Sequence, residues 1–155
     1  MIAIIGKAGA GKTTLADIIA YEHNLKACST SSYAFDHVIY KGMEYCYKSK
    51  LECLNNKDND RHLWSALISQ YNHKDKGRLV KEMLDKYEII EGIRKQEELD
   101  AVKEHFSLII GLVRVGNDKP DPTFEIDIVT SSDIVLFSNN IMDLRDFSRS
   151  IEVSY

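Results

Sequence analysis

A phosphate loop, Gly6-Lys7-Ala8-Gly9-Ala10-Gly11-Lys12-Thr13, starts directly where the apolar run Ile2-Ala3-Ile4-Ile5 ends. The pattern G-x-x-x-x-G-K-[ST] needs a strand to deliver the chain and glycines that turn amide hydrogens toward an anion. It also needs a helix whose positive end faces that anion. Leu15, Ile18 and Ile19 follow at helical spacing, so the loop opens onto a half-buried helix of about ten residues. Strand, loop and helix in this order commit the chain to an α/β fold and imply a site for a nucleoside triphosphate.

Each loop residue has a role set by sterics and charge. Gly6 and Gly11 allow backbone angles and a close approach that a side chain would block. Lys12 places a point charge between the terminal phosphates, and Thr13 supplies a hydroxyl for magnesium. Residues Gly6, Lys7, Ala8, Gly9, Ala10, Gly11, Lys12, Thr13 and Thr14 are the expected donor-binding set.

The chain has 155 residues, enough for one domain over 1–155 with a sizeable core. No stretch approaches the apolar length of a membrane span, and a first strand at the N-terminus argues against a cleaved leader, so the expected location is cytosolic. Cys28, Cys46 and Cys53 lack paired C-x-x-C spacing, which speaks against a disulfide framework or zinc knuckle and for buried apolar groups. With a net charge of −4 the chain has no global attraction to a polyanion, but a small anionic substrate needs only a local arginine cluster.

Along the chain, 26–30 reads as a short second strand, and Ser31-Ser32 as the cap of a helix through Val38, Ile39 and Met43. The polar run 55–60 reads as an exposed loop. Leu63, Trp64, Leu67, Ile68 and Tyr71 then share a helical face, and Leu79, Val80, Met83, Leu84 and Tyr87 repeat the pattern. A strand is expected over 87–93, followed by a helix carrying Leu99, Val102 and Phe106 and a strand over 108–115. A turn cluster over 116–122 holds both prolines. The last buried strand is expected over 133–137, and Ile141, Leu144, Phe147 and Ile151 mark a closing helix. Apolar strands alternating with helices imply a parallel sheet of about five strands covered on both faces. In such a sheet Glu91, Arg94 and Arg114 should converge on the crevice beside the phosphate loop.

Other phosphate-loop classes fit less well. Asn56-Lys57-Asp58-Asn59 misses the guanine motif N-K-x-D at its fourth position and lies before the third strand. Remodelling ATPases need a longer domain. A small kinase needs only a triphosphate cradle, an acceptor platform and arginines that neutralise the transferring group.

Ser32-Tyr33-Ala34, Arg61-His62-Leu63-Trp64, Ile90-Glu91-Gly92-Ile93-Arg94 with Glu98, Thr123-Phe124-Glu125 and the stretch 133–140 occur in the order of landmarks in the phage-type deoxynucleoside monophosphate kinases, which the chain resembles over most of its length. The resemblance implies a three-layer P-loop kinase fold, with a substrate-binding helical segment over about 31–86 and a short lid over about 116–124. It implies ATP and Mg2+ as cofactors and a nucleoside monophosphate, deoxy by preference, as acceptor. Lys12, Arg61, Arg94 and Glu91 are then the expected catalytic set, with Thr13 and Glu91 at the metal. Ser32, Tyr33, Asp36, Arg61, Trp64, Arg94 and Glu98 are the expected substrate-binding residues, with Glu98 orienting Arg94 across one helical turn. Arg114, Asn139 and Asn140 complete the donor site by resemblance, the two asparagines beside adenine.

The chain departs from the family in three places: Glu91 stands where aspartate is frequent, the stretch before Asn139 is shifted by one and lacks a glycine, and the lid has no second arginine. Two rival readings remain open here. One is a kinase acting on a hydroxymethylated pyrimidine in phage DNA, and the other a nucleotide-dependent binding protein without transfer. The assembly is also open, a homodimer included. No membrane partner is expected, and a virus-encoded chain would act in the host cytoplasm.

Overall fold

The computed structural model describes residues 1–152. β1 (Ile2–Ile5) has every residue buried because both its faces are covered. Ala3 and Ile5 enter one core while Ile2 and Ile4 enter a second core on the opposite face, as strand alternation requires. The other strands are β2 (Ala27–Ser29), β3 (Ile89–Glu91), β4 (Leu108–Arg114) and β5 (Ile134–Ser138). All four pairings are parallel, and the order is β2-β3-β1-β4-β5. Register places Ile4 beside both Glu91 and Ile110, so the carboxyl ends of β1, β3 and β4 open toward the same edge of the sheet.

On one face α1 (Lys12–His23) packs with the last helix, α9 (Ile141–Ser150), through Leu15, Ile19 and Leu144. The other face carries a helical run of α2 (Thr30–Ala34), a π-helical turn (Phe35–Ile39) and α3 (Tyr40–Met43), followed by α4 (Lys50–Asn55), α5 (Arg61–Tyr71) and α6 (Arg78–Leu84). After β3 come α7 (Gln96–Asp100), a 3-10 turn (Lys103–His105) and, beyond β4, α8 (Ile128–Ser131). A phosphate loop between β1 and α1, helices on both faces and an all-parallel five-stranded sheet make this a three-layer P-loop kinase fold.

Several elements differ from the sequence expectation. The cap of α2 is Ser29, whose Oγ accepts from the Ser32 amide at 3.0 Å, because β2 runs straight into the helix and leaves Ser31 and Ser32 inside it. The strand expected over 87–93 keeps only Ile89–Glu91, and Tyr87 falls outside both helix and strand. Val102 and Phe106 lie beyond α7 yet are buried, so their burial outlasts the helix. β5 is an edge strand and not a buried one, with Ile134 and Phe137 exposed because the layers that cover the middle of the sheet do not fully cover its end strand. Cys53 is buried and Cys28 half-buried, but Cys46 is exposed. Among the described residues no helix is long and apolar enough to cross a membrane.

Candidate active site

Backbone geometry builds the phosphate-loop end of the cleft. A Cβ on Gly6 would lie 2.5 Å from the Leu112 carbonyl oxygen, so the loop rises against β4 only with glycine there. Lys12 is the first residue of α1, and its Nζ folds back to donate to the Lys7 carbonyl at 2.9 Å. Burial pushes this amine down to about 8, with Glu91 opposing and Arg94 adding to the shift. Thr13 Oγ1 donates to Glu91 Oε1 at 2.8 Å, bringing a buried carboxylate to the end of the phosphate loop.

Glu91 is the last residue of β3, and the next residue turns the chain. Gly92 has φ +91, and a Cβ there would lie 3.0 Å from Thr30 Oγ1, whose hydroxyl donates to the Gly92 carbonyl at 2.8 Å. That turn returns the chain to the cleft at Arg94. The Arg94 guanidinium donates to both oxygens of Asp121, at 3.0 and 2.8 Å, and to Thr123 Oγ1 at 2.8 Å. Asp121 Oδ2 also accepts from the Ala8 amide inside the phosphate loop at 2.8 Å. Burial alone would raise this carboxyl, but the Ala8 amide, Arg94 and Thr123 outweigh it and hold the group at about 2.

The opposite side of the cleft is built from a helix start and a loop. Arg61 opens α5, donates to Asp58 at 2.7 Å and lies 4.0 Å from Asp121. Lys57 turns inward from the preceding loop, donating to Ser31 Oγ at 2.9 Å with its Nζ 5.6 Å from the Trp64 ring centroid. Burial pushes Lys57 downward, against the pull of Glu91. Deeper in lie Trp64, Ile68, Leu79 and Val80, with Asn72 and Glu98 forming a polar pair in which Asn72 Nδ2 donates at 3.2 Å. Burial raises the Glu98 carboxyl, and Asn72 opposes it. These walls enclose about 460 Å3, within the ordinary range for a small-molecule site.

The cleft is lined by Ala8, Gly9, Lys12, Thr13, Ser32, Arg61, Trp64, Glu91, Arg94 and Glu98 of the sequence-expected set. Gly6, Ala10 and Gly11 support the loop behind that lining, while Lys7 and Thr14 are exposed. Tyr33 is buried beside the site, its ring stacked on His37 and its hydroxyl accepting from Lys86. Asp36 is exposed and pairs with Lys50, away from the cleft. Arg114 is exposed at the end of β4 and does not line the cleft. Asn139 is exposed, and Asn140 caps α9 in a reciprocal box with Asp143, so its side chain is committed to the helix.

One expected pairing is replaced. Arg94 is oriented by Asp121 and Thr123, whereas Glu98 is engaged by Asn72. Lys57 and Asp121 were not among the expected residues, because the polar run and the proline-rich turn that carry them read as solvent-facing. Lys95 also turns inward, donating to Ser69 Oγ at 2.7 Å.

No cluster of three or more His, Cys, Asp or Glu side chains suited to a metal ion exists among the described residues. Thr13 and Glu91 alone would leave a hard cation short of oxygen ligands. That donor set fits magnesium held jointly with phosphate oxygens and water.

No family model matches the chain, and no curated protein matches it. Solved structures similar in chain path include the following two. An unliganded sugar kinase from Janibacter sp. HTCC2649 is 14% identical with a TM-score of 0.46, the match covering 95% of this chain and 90% of that one. A protein of Chloroflexus aurantiacus j-10-fl, provisionally named a kinase, is 13% identical with a TM-score of 0.46, over 96% of this chain and 92% of that one. At these values no residue role or substrate follows from either.

Proposed function

We propose that the protein transfers the terminal phosphoryl group of ATP to a nucleoside monophosphate. The observation that carries this reading is the convergence of Lys12, Lys57, Arg61 and Arg94 with Thr13 and Glu91 on one cleft. A triphosphate alone needs only the loop, Lys12 and the Thr13–Glu91 pair. The further cations, set beyond the loop and in front of an aromatic wall, suit a second anionic group attached to a planar base.

In this reading Lys12 and the loop amides hold the donor's phosphates, and Arg61 and Lys57 grip the acceptor's phosphate. Arg94, between them, neutralises charge shared by both. Thr13 and Glu91 are the residues that would hold magnesium, which supplies charge neutralisation on the phosphate oxygens when bound. Trp64 walls the base. The protein contributes position and countercharge, and no covalent intermediate is needed.

The test is ADP release from MgATP across all ribo- and deoxynucleoside monophosphates, with ordinary and hydroxymethyl-containing DNA in separate wells. Stimulation by one or two monophosphates is the expected result. Stimulation by modified DNA alone, or ATP binding with no stimulation by any acceptor, would overturn the reading.

A further inference from the structure

The geometry points to Asp121 as an internal stand-in for a phosphate oxygen: its carboxylate occupies the Ala8 amide of the phosphate loop and the Arg94 guanidinium beside the cleft, and a bound triphosphate displaces it. The inference rests on the triphosphate-binding reading of the same cleft.

The carboxylate is held by donors that a phosphate would also use. Asp121 accepts from the Ala8 amide at 2.8 Å, from Arg94 at 2.8 and 3.0 Å and from the Thr123 hydroxyl at 2.8 Å, with Arg61 at 4.0 Å. Its side chain is only 2% exposed, so the carboxylate is packed into the fold. A second latch lies four residues earlier, where Asn117 Nδ2 donates to the Ala8 carbonyl at 2.9 Å. Both backbone groups of Ala8 are thus engaged by one strap, residues 117–121.

Charge explains why the strap docks and why it must leave. Lys12, Lys57, Arg61 and Arg94 repel one another in a partly dry cleft; Glu91 offsets this at Lys12 and Lys57 and Asp58 at Arg61, while Asp121 is the carboxylate that neutralises Arg94. A triphosphate brings several negative charges to the same donors. Asp121 would then face like charge at short range, so the favourable arrangement exchanges the carboxylate for a phosphate oxygen and frees Arg94 to follow the ligand. The cost of undocking lowers the apparent affinity by the fraction of molecules already open.

Calorimetric binding of inorganic tripolyphosphate and of MgATP to the wild type, Asp121→Ala and Asn117→Ala tests this. Thermal unfolding without ligand establishes that each variant is folded. Asp121→Ala is expected to bind tripolyphosphate about tenfold tighter or more, and Asn117→Ala about threefold tighter. Backbone amides of 117–121 should exchange faster in the wild type once tripolyphosphate is bound. If Asp121→Ala does not fold, Asn117→Ala and the exchange data decide. A folded variant with equal or weaker affinity overturns the stand-in role and leaves Asp121 as a brace for Arg94. Wild-type binding without a gain in the variants sinks this inference alone, whereas no binding of either ligand by any form sinks the nucleotide reading with it.

Discussion

The two ends of the cleft are made in different ways. The end proposed to hold the donor is continuous in sequence: residues 6–13 form one turn whose glycines, lysine and threonine act through local backbone geometry. The end proposed to hold the acceptor is assembled from three separate segments, with Lys57 in a loop, Arg61 at a helix start and Arg94 after a strand. Their charge environments differ as well. Lys12 is a desolvated amine folded onto its own loop, whereas Arg61 and Arg94 face the buried carboxylate of Asp121. The local motif is thus written in one short segment, while the assembled end depends on the packing of α2, α5 and the 117–123 segment.

The sharpest break of that contrast is Lys12→Ala. Loss of this cation should reduce turnover about a thousandfold or more with unfolding temperature unchanged or raised, since Lys12 holds only its own loop and its desolvated charge costs stability. Steady-state kinetics beside a melting curve checks both halves.

Arg94→Ala should cost about a hundredfold in kcat/KM and also destabilise the empty protein by about 2 kcal/mol, because Asp121 then keeps its burial but loses its charged donor. Chemical denaturation reads the second effect. A melting curve as unperturbed as that expected for Lys12→Ala would erase the distinction between the two ends.

Lys57→Ala should raise the acceptor's KM about tenfold and leave that of ATP within about twofold, because the substitution removes one cationic donor from the acceptor end only. An equal rise for both substrates would place Lys57 on the shared phosphate path instead.

The smallest effect is on pH. The folded pKa of Lys12 is lowered, so its charge is present below about 8 and fades as pH rises through that value. Triphosphate affinity should weaken roughly threefold over the pH unit centred there. In the empty protein the sign is opposite, since charging a desolvated lysine penalises the fold fully below about 8 and less as pH climbs toward 10.5. Titration calorimetry and denaturation over the same pH range should therefore move in opposite directions.

The features readable in advance were those carried by short-range physics. The phosphate loop, the flanking strand and the first helix needed no partner to be recognised, and two-sided burial wrote β1 and β4 as apolar runs. Strand order is not written that way, so Ile134 and Phe137 looked like core residues until β5 proved to be the sheet's edge. Long-range pairing hid the rest. Asp121 lies 113 positions from Ala8 and 27 from Arg94, and nothing in a proline-rich turn marks one aspartate as the buried one. Glu98 had the better helical spacing for Arg94, but Asn72 of α5's C-terminal end claimed it through tertiary packing. Lys57 sat in a polar run whose composition correctly reads as loop, while the inward turn of one side chain depends on Ser31 and Trp64.

The central claim is that donor and acceptor phosphates meet in a single cleft, and a probe of two nucleosides joined by five phosphates tests it most directly. Calorimetry should give one probe per protein, bound at least about a hundredfold tighter than ATP, with loss of that gain in Arg61→Ala. Binding no tighter than ATP, or two probes per chain, would mean that the two ends do not serve one reaction.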